Sequence, residues 1–364
     1  MKLLYITPHI NGAGGVQRML SVKLNYFVEH LGYDIVVLFS NERQMTPHFS
    51  FHKKIVFHTL DLPHRRGLSY LTKFKKQVTY FVNQEKPDIV LVVDNGLKGT
   101  LVPRWIKGTP TLYERHGSIK ELPTVGGSVF QKIKNVFVKS PILHLAKQFT
   151  AIVVLNEQMK KEWEHKNICV IPNALWFNPK VIEHEKKKKK VIFVGRLTKE
   201  KGVDFLLEIW KILYRKFPDW ELHVFGENTK EFSLITNKNR NIIHHQPVKN
   251  VDEIYDDASL LFLPSRYEGF GMVILEAMAY GIPSIAFNCP VGPSSLIQNG
   301  DNGVLVKYAN IEEFASKAEL LMQDENLRKK LSEKAFETLK SYNVEKIMNQ
   351  WETLFKQMIS NKKK

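Results

Sequence analysis

The chain has 364 residues, a length that suits two domains of ordinary size. Hydrophobic residues make up 43% and charged residues 25%, a globular composition that argues against widespread disorder. The formal charge of +16 is concentrated in the first half, where residues 62–150 hold 15 basic and 5 acidic side chains. This basic field would attract phosphates, anionic lipid headgroups or nucleic acid, although lysines that only solvate the surface would give the same count.

Cysteine usage and hydropathy predict a cytoplasmic protein. Cys169 and Cys289 have no CxxC spacing and no neighbouring His cluster, so neither a disulfide framework nor a zinc site is expected. Residues 1–11 lack the long apolar core of a signal peptide, and the longest apolar runs are strand-sized. We therefore expect no export signal and no membrane span.

Two series of short apolar runs alternate with helical patterns, which predicts two parallel sheets in two Rossmann-like α/β domains. The first series is Leu3–Thr7, Ile35–Phe39, Ile89–Val93, Thr111–Glu114 and Ala151–Leu155. The second is Val191–Val194, Glu221–Phe225, Asn241–His244, Leu260–Leu263, Ser284–Phe287 and Gly303–Val306. The lysine-rich stretch His184–Lys190 between them resembles a solvated linker.

The predicted organisation is an N-terminal domain over 1–177, a linker over 178–190 and a C-terminal domain over 191–342, with a deep cleft between the domains. Residues 343–364 form a last helix and a basic tail. Apolar side chains at helical spacing give this helix one stripe for packing: Met348, Trp351, Leu354, Phe355 and Met358. We expect the helix to bridge the two domains.

A glycine-rich turn, Asn11-Gly12-Ala13-Gly14-Gly15, follows the first predicted strand and leads into an amphipathic helical pattern. Glycines let a ligand approach the backbone, and the amides at a helix start favour a phosphate. An ordinary strand-to-helix turn would have the same sequence. The dinucleotide fingerprint GxGxxG fails at Gln17, and no acidic residue closes the second strand, which disfavours an oxidoreductase.

The second domain has two candidate ligand loops at the carboxyl ends of its strands. Gly195 to Gly202 contains Arg196 and Lys201, a planar fork and a compact charge that suit a diphosphate, although a basic solvent-facing loop is an equal alternative. Pro264 to Ala279 places Glu268 in a loop and Glu276 inside a helix that we expect to begin near Gly271. Apolar neighbours of Glu276 favour its burial or a ligand over simple exposure.

These segments resemble the GT-B family of retaining glycosyltransferases that is usually called family 4. The shared pattern is Gly14-Gly15 after the first strand, the segment Gly195-Arg196 to Lys201-Gly202, and the pair Glu268 and Glu276 separated by seven residues. The resemblance implies the GT-B fold and a donor that is a nucleotide sugar, most simply a UDP-sugar carrying a hexose or an N-acetylhexosamine. It covers nearly the whole chain.

Carried over by position, the resemblance implies that Arg196 and Lys201 bind the donor diphosphate, that Glu276 binds the ribose and that Glu268 faces the donor sugar. It places His116 against that sugar and Gly15, beside Gly14, against the diphosphate. It assigns donor contacts to the segment after Gly195 and to backbone amides at Phe270, Gly271, Met272 and Val273. Where relatives commonly have an acidic residue this chain has Ser295, which we expect to cap a following helix.

The implied reaction is retaining transfer in which Arg196, Lys201 and the helix amides neutralise the leaving diphosphate, without a metal or a cofactor. We expect a saccharide or a polyprenyl-linked acceptor in surface polysaccharide assembly. Basic segments Arg65–Lys76 and Lys132–Lys147, which contain apolar side chains, would place the protein peripherally on the inner face of the cytoplasmic membrane. Core packing of those apolar side chains is nearly as good an interpretation.

Two other functions remain open from the sequence. A nucleotide-sugar epimerase or hydrolase would use the same donor contacts without an acceptor. A basic nucleic-acid-binding module would explain the charge but not the glutamate pair or the glycine turns, so we expect no nucleic acid partner.

Overall fold

The computed structural model describes residues 1–12, 14–40, 47–65, 67–93, 96–119, 140–179, 184–227, 229, 241–248 and 250–362. The chain divides into two compact units. The N-terminal unit contains Met1–Trp176 together with Val344–Lys364, and the C-terminal unit contains Phe177–Asn343. The chain therefore leaves its first unit once and returns to it.

The N-terminal unit is built on a parallel sheet with the strand order β3-β2-β1-β4-β5-β6-β7. Its strands are β1 Lys2–Thr7, β2 Asp34–Ser40, β3 Val56–Leu60, β4 Ile89–Val93, β5 Thr111–Glu114, β6 Ala151–Val154 and β7 Ile168–Val170. Its helices are α1 Gly15–Glu29, α2 Leu68–Glu85, α3 Gly96–Thr100, α4 Val102–Trp105, α5 over residues 140–146, and α6 Glu157–Lys160. Every residue of β4 is buried, as expected for a parallel strand that is covered on both faces.

The C-terminal unit repeats this design with the order β10-β9-β8-β11-β12-β13, again with parallel pairing. The strands are β8 Lys190–Val194, β9 Glu221–Phe225, β10 Ile242–His245, β11 Leu260–Leu263, β12 Ser284–Asn288 and β13 Val304–Lys307. The helices are α7 Val203–Lys216, α8 Asp252–Tyr255, α9 Met272–Ala279, α10 Ile311–Gln323 and α11 Glu325–Thr338. Short 3₁₀ turns cover His184–Lys186, Pro293–Ser295 and Leu339–Ser341.

Amphipathic helices cover both sheets. In α7 the side chains of Leu206, Ile209, Trp210 and Leu213 are fully buried and belong to the same core cluster as the strand residue Phe193. Burying each such side chain contributes about 1.5 to 3 kcal/mol. The predicted α/β class and the two parallel sheets are confirmed.

Two edge strands were missed by the sequence analysis. Strand β3 has one buried residue among five and contains polar residues, and β7 has only three half-buried residues, so neither has the apolar run of a central strand. Both lie at an edge of the N-terminal sheet, where a strand needs to bury less surface.

The last helix, α12 Val344–Lys362, belongs to the N-terminal unit. Its predicted apolar stripe is buried, and the ring of Phe355 packs edge-to-face on Phe27 of α1 at 5.5 Å. Within the described part of the chain, α12 and the other helices are too short or too polar for any to span a membrane.

The lysine-rich segment differs in part from a solvated linker. Lys190 is the first residue of β8, and its buried ammonium pairs with Asp257 at 2.7 Å. Lys188 pairs with the same carboxylate at 3.0 Å, while Lys187 donates to the carbonyl oxygen of Asp256. These contacts fix the entry of the chain into the C-terminal sheet. Residues 180–183 lie outside the described residues.

One close contact positions the loops that carry the candidate site. Gly202, at the start of α7, has a left-handed φ of 71°, and a Cβ at this position would lie 1.8 Å from the carbonyl oxygen of Pro264. The loop after β8 therefore packs directly on the backbone of the loop after β11. These two strands flank the point where the strand order reverses, which is where open α/β sheets bind ligands.

We predict that Gly202→Ala lowers the thermal unfolding midpoint more than Gly300→Ala. Both glycines have positive φ, which costs a side chain about 1 to 2 kcal/mol, but Gly300 has no atom within 4 Å of the added Cβ. The difference between the thermal midpoints of the two variants measures the clash of the added Cβ with Pro264. Equal losses in a thermal melt would show that the two loops separate easily.

Candidate active site

The C-terminal unit brings two predicted residues into direct contact. The ammonium of Lys201 donates to both carboxylate oxygens of Glu268, at 2.8 and 2.9 Å. The Glu268 side chain is 6% exposed and that of Lys201 is 21% exposed, and the hydroxyl of Ser265 also donates to Glu268 at 2.7 Å. A carboxylate buried to this degree depends on its cation, because removal of one partner from a buried pair typically costs about 3 to 5 kcal/mol.

A loop that the sequence analysis did not assign to the site closes around Glu268. Gly292 has φ 106°, and a Cβ there would lie 2.6 Å from the Cβ of Glu268. The thiol of Cys289 donates to the carbonyl oxygen of Val291. Burial, with a smaller contribution from the Glu268 carboxylate, raises the pKa of that thiol to about 12.

Ser295 was predicted to cap a following helix, but it does not do so. Its hydroxyl donates back to the carbonyl oxygen of Gly292 within the 3₁₀ turn, and the next helix begins only at Ile311. The prediction was wrong because the segment that follows Ser295 turns towards β13 and does not continue as a helix.

Arg196 lies on the same loop as Lys201 but has a different environment. Its guanidinium side chain is 67% exposed and pairs with Glu200 at 3.0 Å. Gly195, the first residue of the loop, donates its amide to the carbonyl oxygen of Phe225. Lys201 thus has a half-buried ammonium, whereas the guanidinium of Arg196 is solvated.

Helix α9 begins at Met272, with Gly271 as its N-cap in a left-handed conformation of φ 89°. This agrees with the predicted start near Gly271. The amide of Ile274 donates to the carbonyl oxygen of Gly271, while the first amides of a helix have no carbonyl partner within it. Phe270 is buried just before the cap, and Met272 and Val273 are half-buried.

Glu276 is half-buried on α9 and is held by a residue that the sequence analysis missed. The fully buried Tyr255 donates its hydroxyl to Glu276 at 2.8 Å. The ring of Tyr255 stacks on Tyr280 at 5.4 Å, and Tyr280 donates its own hydroxyl to Asp252. Burial, followed by the hydrogen bond to Asp252, raises the pKa of Tyr280 well above its usual value. These contacts fix one carboxylate oxygen of Glu276.

The glycine turn of the N-terminal unit leads into α1. Gly14 is the N-cap and Gly15 the first helical residue, and both are exposed. A Cβ on Gly14 would lie 3.0 Å from the amide oxygen of the buried Gln17, and one on Gly12 would be 3.4 Å from the same side chain. Gln17 therefore occupies the inner side of the turn. Ala13 lies outside the described residues.

His116 belongs to a buried charge network at the end of β5. Its Nε2 lies 2.8 Å from Glu114, which also pairs with the ammonium of Lys23 from α1. The Lys23 ammonium lies 4.0 Å from the ring of Trp351 on α12, so the last helix packs over the pair. One oxygen of Glu114, Oε2, is buried without a hydrogen-bond partner in the described structure.

The two basic segments that predict membrane contact are only partly described. In the first, Leu68 begins α2 and is 87% exposed, while Lys73 pairs with Asp61 at 2.6 Å. Arg66 and residues 132–139 lie outside the described residues. Membrane association stays a prediction. Across the described ranges, no three His, Cys, Asp or Glu side chains are grouped as a metal site requires.

Two family models match the chain in succession. Residues 13–175 match glycosyltransferase family 4, and residues 176–338 match glycosyl transferases group 1. The boundary between the two matches falls at Leu175 and Trp176, next to the boundary between the two units. The matches therefore follow the two-unit architecture.

Similar proteins include two bacterial relatives that match over nearly their whole length. The chain is 28% identical to an uncharacterized glycosyltransferase of Haemophilus influenzae and 26% identical to the amylovoran biosynthesis glycosyltransferase AmsD of Erwinia amylovora. Each match covers 96% of this chain and 98% of the relative. Among solved structures, the pneumococcal O-GlcNAc transferase GtfA in complex with UDP and GlcNAc has a TM-score of 0.76 at 13% identity, with 99% of each chain covered.

We predict that the Glu114 network stabilises the protein only above strongly acidic pH. Burial raises the pKa of Glu114, but Lys23 and His116 outweigh it and hold the pKa at about 2, below the ordinary 4.5. A depressed folded-state pKa gives stability that is present above pH 4.5 and is lost as the pH falls towards 2. The thermal midpoints of the wild type and Glu114→Gln should therefore converge as the pH falls from 4.5 to about 2. A constant difference between the two midpoints over this range would contradict the lowered pKa of Glu114.

Proposed function

Because the chain belongs to the group 1 glycosyltransferases of the GT-B fold, we propose that it moves a hexose or an N-acetylhexosamine from a UDP-sugar to a saccharide or lipid-linked acceptor. We propose retention of configuration and surface polysaccharide assembly as its setting. The observation that carries the proposal is the Lys201–Glu268 pair beside the start of α9.

Lys201 is suited to receive the leaving diphosphate. Two of its three ammonium protons go to Glu268, which leaves one proton for a phosphate oxygen. Negative charge grows on the diphosphate as the glycosidic bond breaks, and a positioned cation lowers the energy of that transition state. With Arg196 and the first amides of α9, Lys201 supplies positive charge without a metal or a cofactor.

Glu268 is suited to orient the donor sugar. Its carboxylate is fixed by Lys201 and Ser265, and Gly292 packs on its Cβ, so its oxygens have one position. A fixed carboxylate accepts hydrogen bonds from sugar hydroxyls and stabilises positive charge at the anomeric carbon. We assign it no covalent role.

Glu276 is suited to bind the ribose. Tyr255 donates to one oxygen and holds the carboxylate in place, and a carboxylate is an acceptor that suits the two neighbouring hydroxyls of a ribose. The bound UDP of the pneumococcal GtfA structure supports a uridine donor, and the Erwinia relative in amylovoran biosynthesis supports a role in polysaccharide assembly.

We predict that Lys201→Met lowers transfer from a UDP-sugar by about 10² to 10³, the usual effect of losing one transition-state donor. Arg196→Ala should also lower turnover, whereas Lys199→Ala, an exposed neighbour, should not. The assay measures UDP release and product formation across a panel of UDP-sugars. Wild-type rates in both Lys201→Met and Arg196→Ala would show that the loop after β8 has no role in catalysis.

The Lys201 variant also leaves Glu268 unpaired, so stability must be separated from catalysis. Lys201→Met should lower the thermal midpoint, and the added change Glu268→Gln should restore it by removing the buried charge. The double variant should remain inactive. Recovery of turnover together with stability would show that Lys201 has only a structural role.

We predict that Glu276→Ala weakens UDP binding by about tenfold to a hundredfold, the value of hydrogen bonds to a charged group. Calorimetry should compare UDP with 2′-deoxy-UDP. The wild type should prefer UDP, and Glu276→Ala should lose that preference. Tyr255→Phe should reduce the preference in part, and Glu253→Ala, an exposed change on the same short helix as Tyr255, should leave it intact. A retained preference in folded Glu276→Ala would remove this residue from the site.

A further inference from the structure

A second cluster of hydrogen-bond donors lies at the carboxyl edge of the N-terminal sheet. Lys98, on α3 after β4, donates its ammonium to the hydroxyl of Tyr70 at 2.7 Å and to the hydroxyl of Ser40 at 3.1 Å. Ser40 is the last residue of β2, and Tyr70 lies in the first turn of α2. Three separate elements therefore converge on one ammonium.

This lysine differs from three other buried or half-buried lysines. Lys23, Lys190 and Lys201 each pair with a carboxylate. The contacts described for Lys98 are instead two hydroxyls and the ring faces of Phe74 and Tyr70, at 5.0 and 5.1 Å. Aromatic rings and hydroxyls stabilise a cation without neutralising it, so the positive charge remains available to an anion.

Among the described residues, three donors of this cluster have no acceptor and can serve one ligand. The ammonium has three protons and uses two. The hydroxyls of Ser40 and Tyr70 act as acceptors towards Lys98, so each keeps its own proton to donate. One ammonium proton and two hydroxyl protons suit the oxygens of a phosphate.

Two exposed leucines lie close in the chain to residues of this cluster. Leu97, directly before Lys98, is 42% exposed, and Leu68, two positions before Tyr70, is 87% exposed. Exposed leucines beside a phosphate-binding cation suit an amphiphile with a phosphate head and a hydrocarbon chain. A soluble polyol phosphate has no hydrocarbon chain that could contact these leucines.

We propose that Ser40, Tyr70 and Lys98 bind the phosphate of a lipid-linked acceptor. The proposal rests on the glycosyltransferase function and assigns the acceptor class to three residues. The strand order of this sheet reverses between β1 and β4, so the cluster lies beside the point at which such sheets bind ligands. Lys98 and its two hydroxyl partners fix the head group, and Leu68 and Leu97 contact the chain.

The test measures binding of geranyl phosphate, geraniol and glycerol phosphate to the purified full-length protein by calorimetry. The wild type should bind geranyl phosphate at least about tenfold more tightly than either of the other two, because hydrogen bonds to a charged group and apolar burial act together. Lys98→Met keeps the side-chain length and should remove most of this preference over geraniol. Tyr70→Phe, which preserves the ring, should weaken binding severalfold.

Two controls make the result specific. Lys76→Met removes an exposed charge from α2 and should change binding less than twofold, and UDP binding should be unchanged in Lys98→Met. Equal affinity for geranyl phosphate and geraniol in the wild type, or equal effects of Lys98→Met and Lys76→Met, would overturn the site. Glycerol phosphate that binds as tightly as geranyl phosphate would overturn the lipid assignment. Failure of the donor function would appear separately, as absent UDP binding.

Discussion

The ion pair between Lys201 and Glu268 is the interaction on which the candidate site depends. A buried carboxylate persists as an anion only where a cation and hydrogen-bond donors surround it, and here the cation comes from a different loop. That loop is held in place because Gly202 lets its backbone lie against Pro264. The close approach of Gly202 to Pro264, with the hydrogen bond from the Arg266 amide to the carbonyl oxygen of Glu200, thus sets where the charges meet.

The N-terminal unit also contains a buried carboxylate that is paired with a lysine, at the end of β5. Glu114 is buried and accepts from Lys23 and His116, and Trp351 of the returning helix covers the ammonium of Lys23. Burial lowers the pKa of Lys23 while Glu114 opposes this, so the pair is stable only as a unit. The last helix therefore covers the Lys23–Glu114 pair as well as contributing to the hydrophobic core of its unit.

Much of the fold was predictable because hydrophobic runs and glycine turns are local signals. The central strands and the start of α9 were found in this way, and the edge strands β3 and β7 were missed because they bury little surface. The contacts within the site were not predictable. Lys23 and Glu114 are 91 positions apart, and no spacing rule joins Tyr255 to Glu276 or Gly292 to Glu268. Only tertiary packing creates these pairs.

The most direct test of the account is a crystal structure of the protein with UDP. The account predicts a phosphate oxygen within hydrogen-bond distance of the Lys201 ammonium, at about 3 Å, and the ribose hydroxyls on Glu276. It also predicts that this phosphate oxygen accepts the third ammonium proton of Lys201, the one that is not donated to Glu268. A nucleotide bound elsewhere, with the ribose away from Glu276 and no phosphate oxygen near the Lys201 ammonium, would contradict the assignment of the donor site.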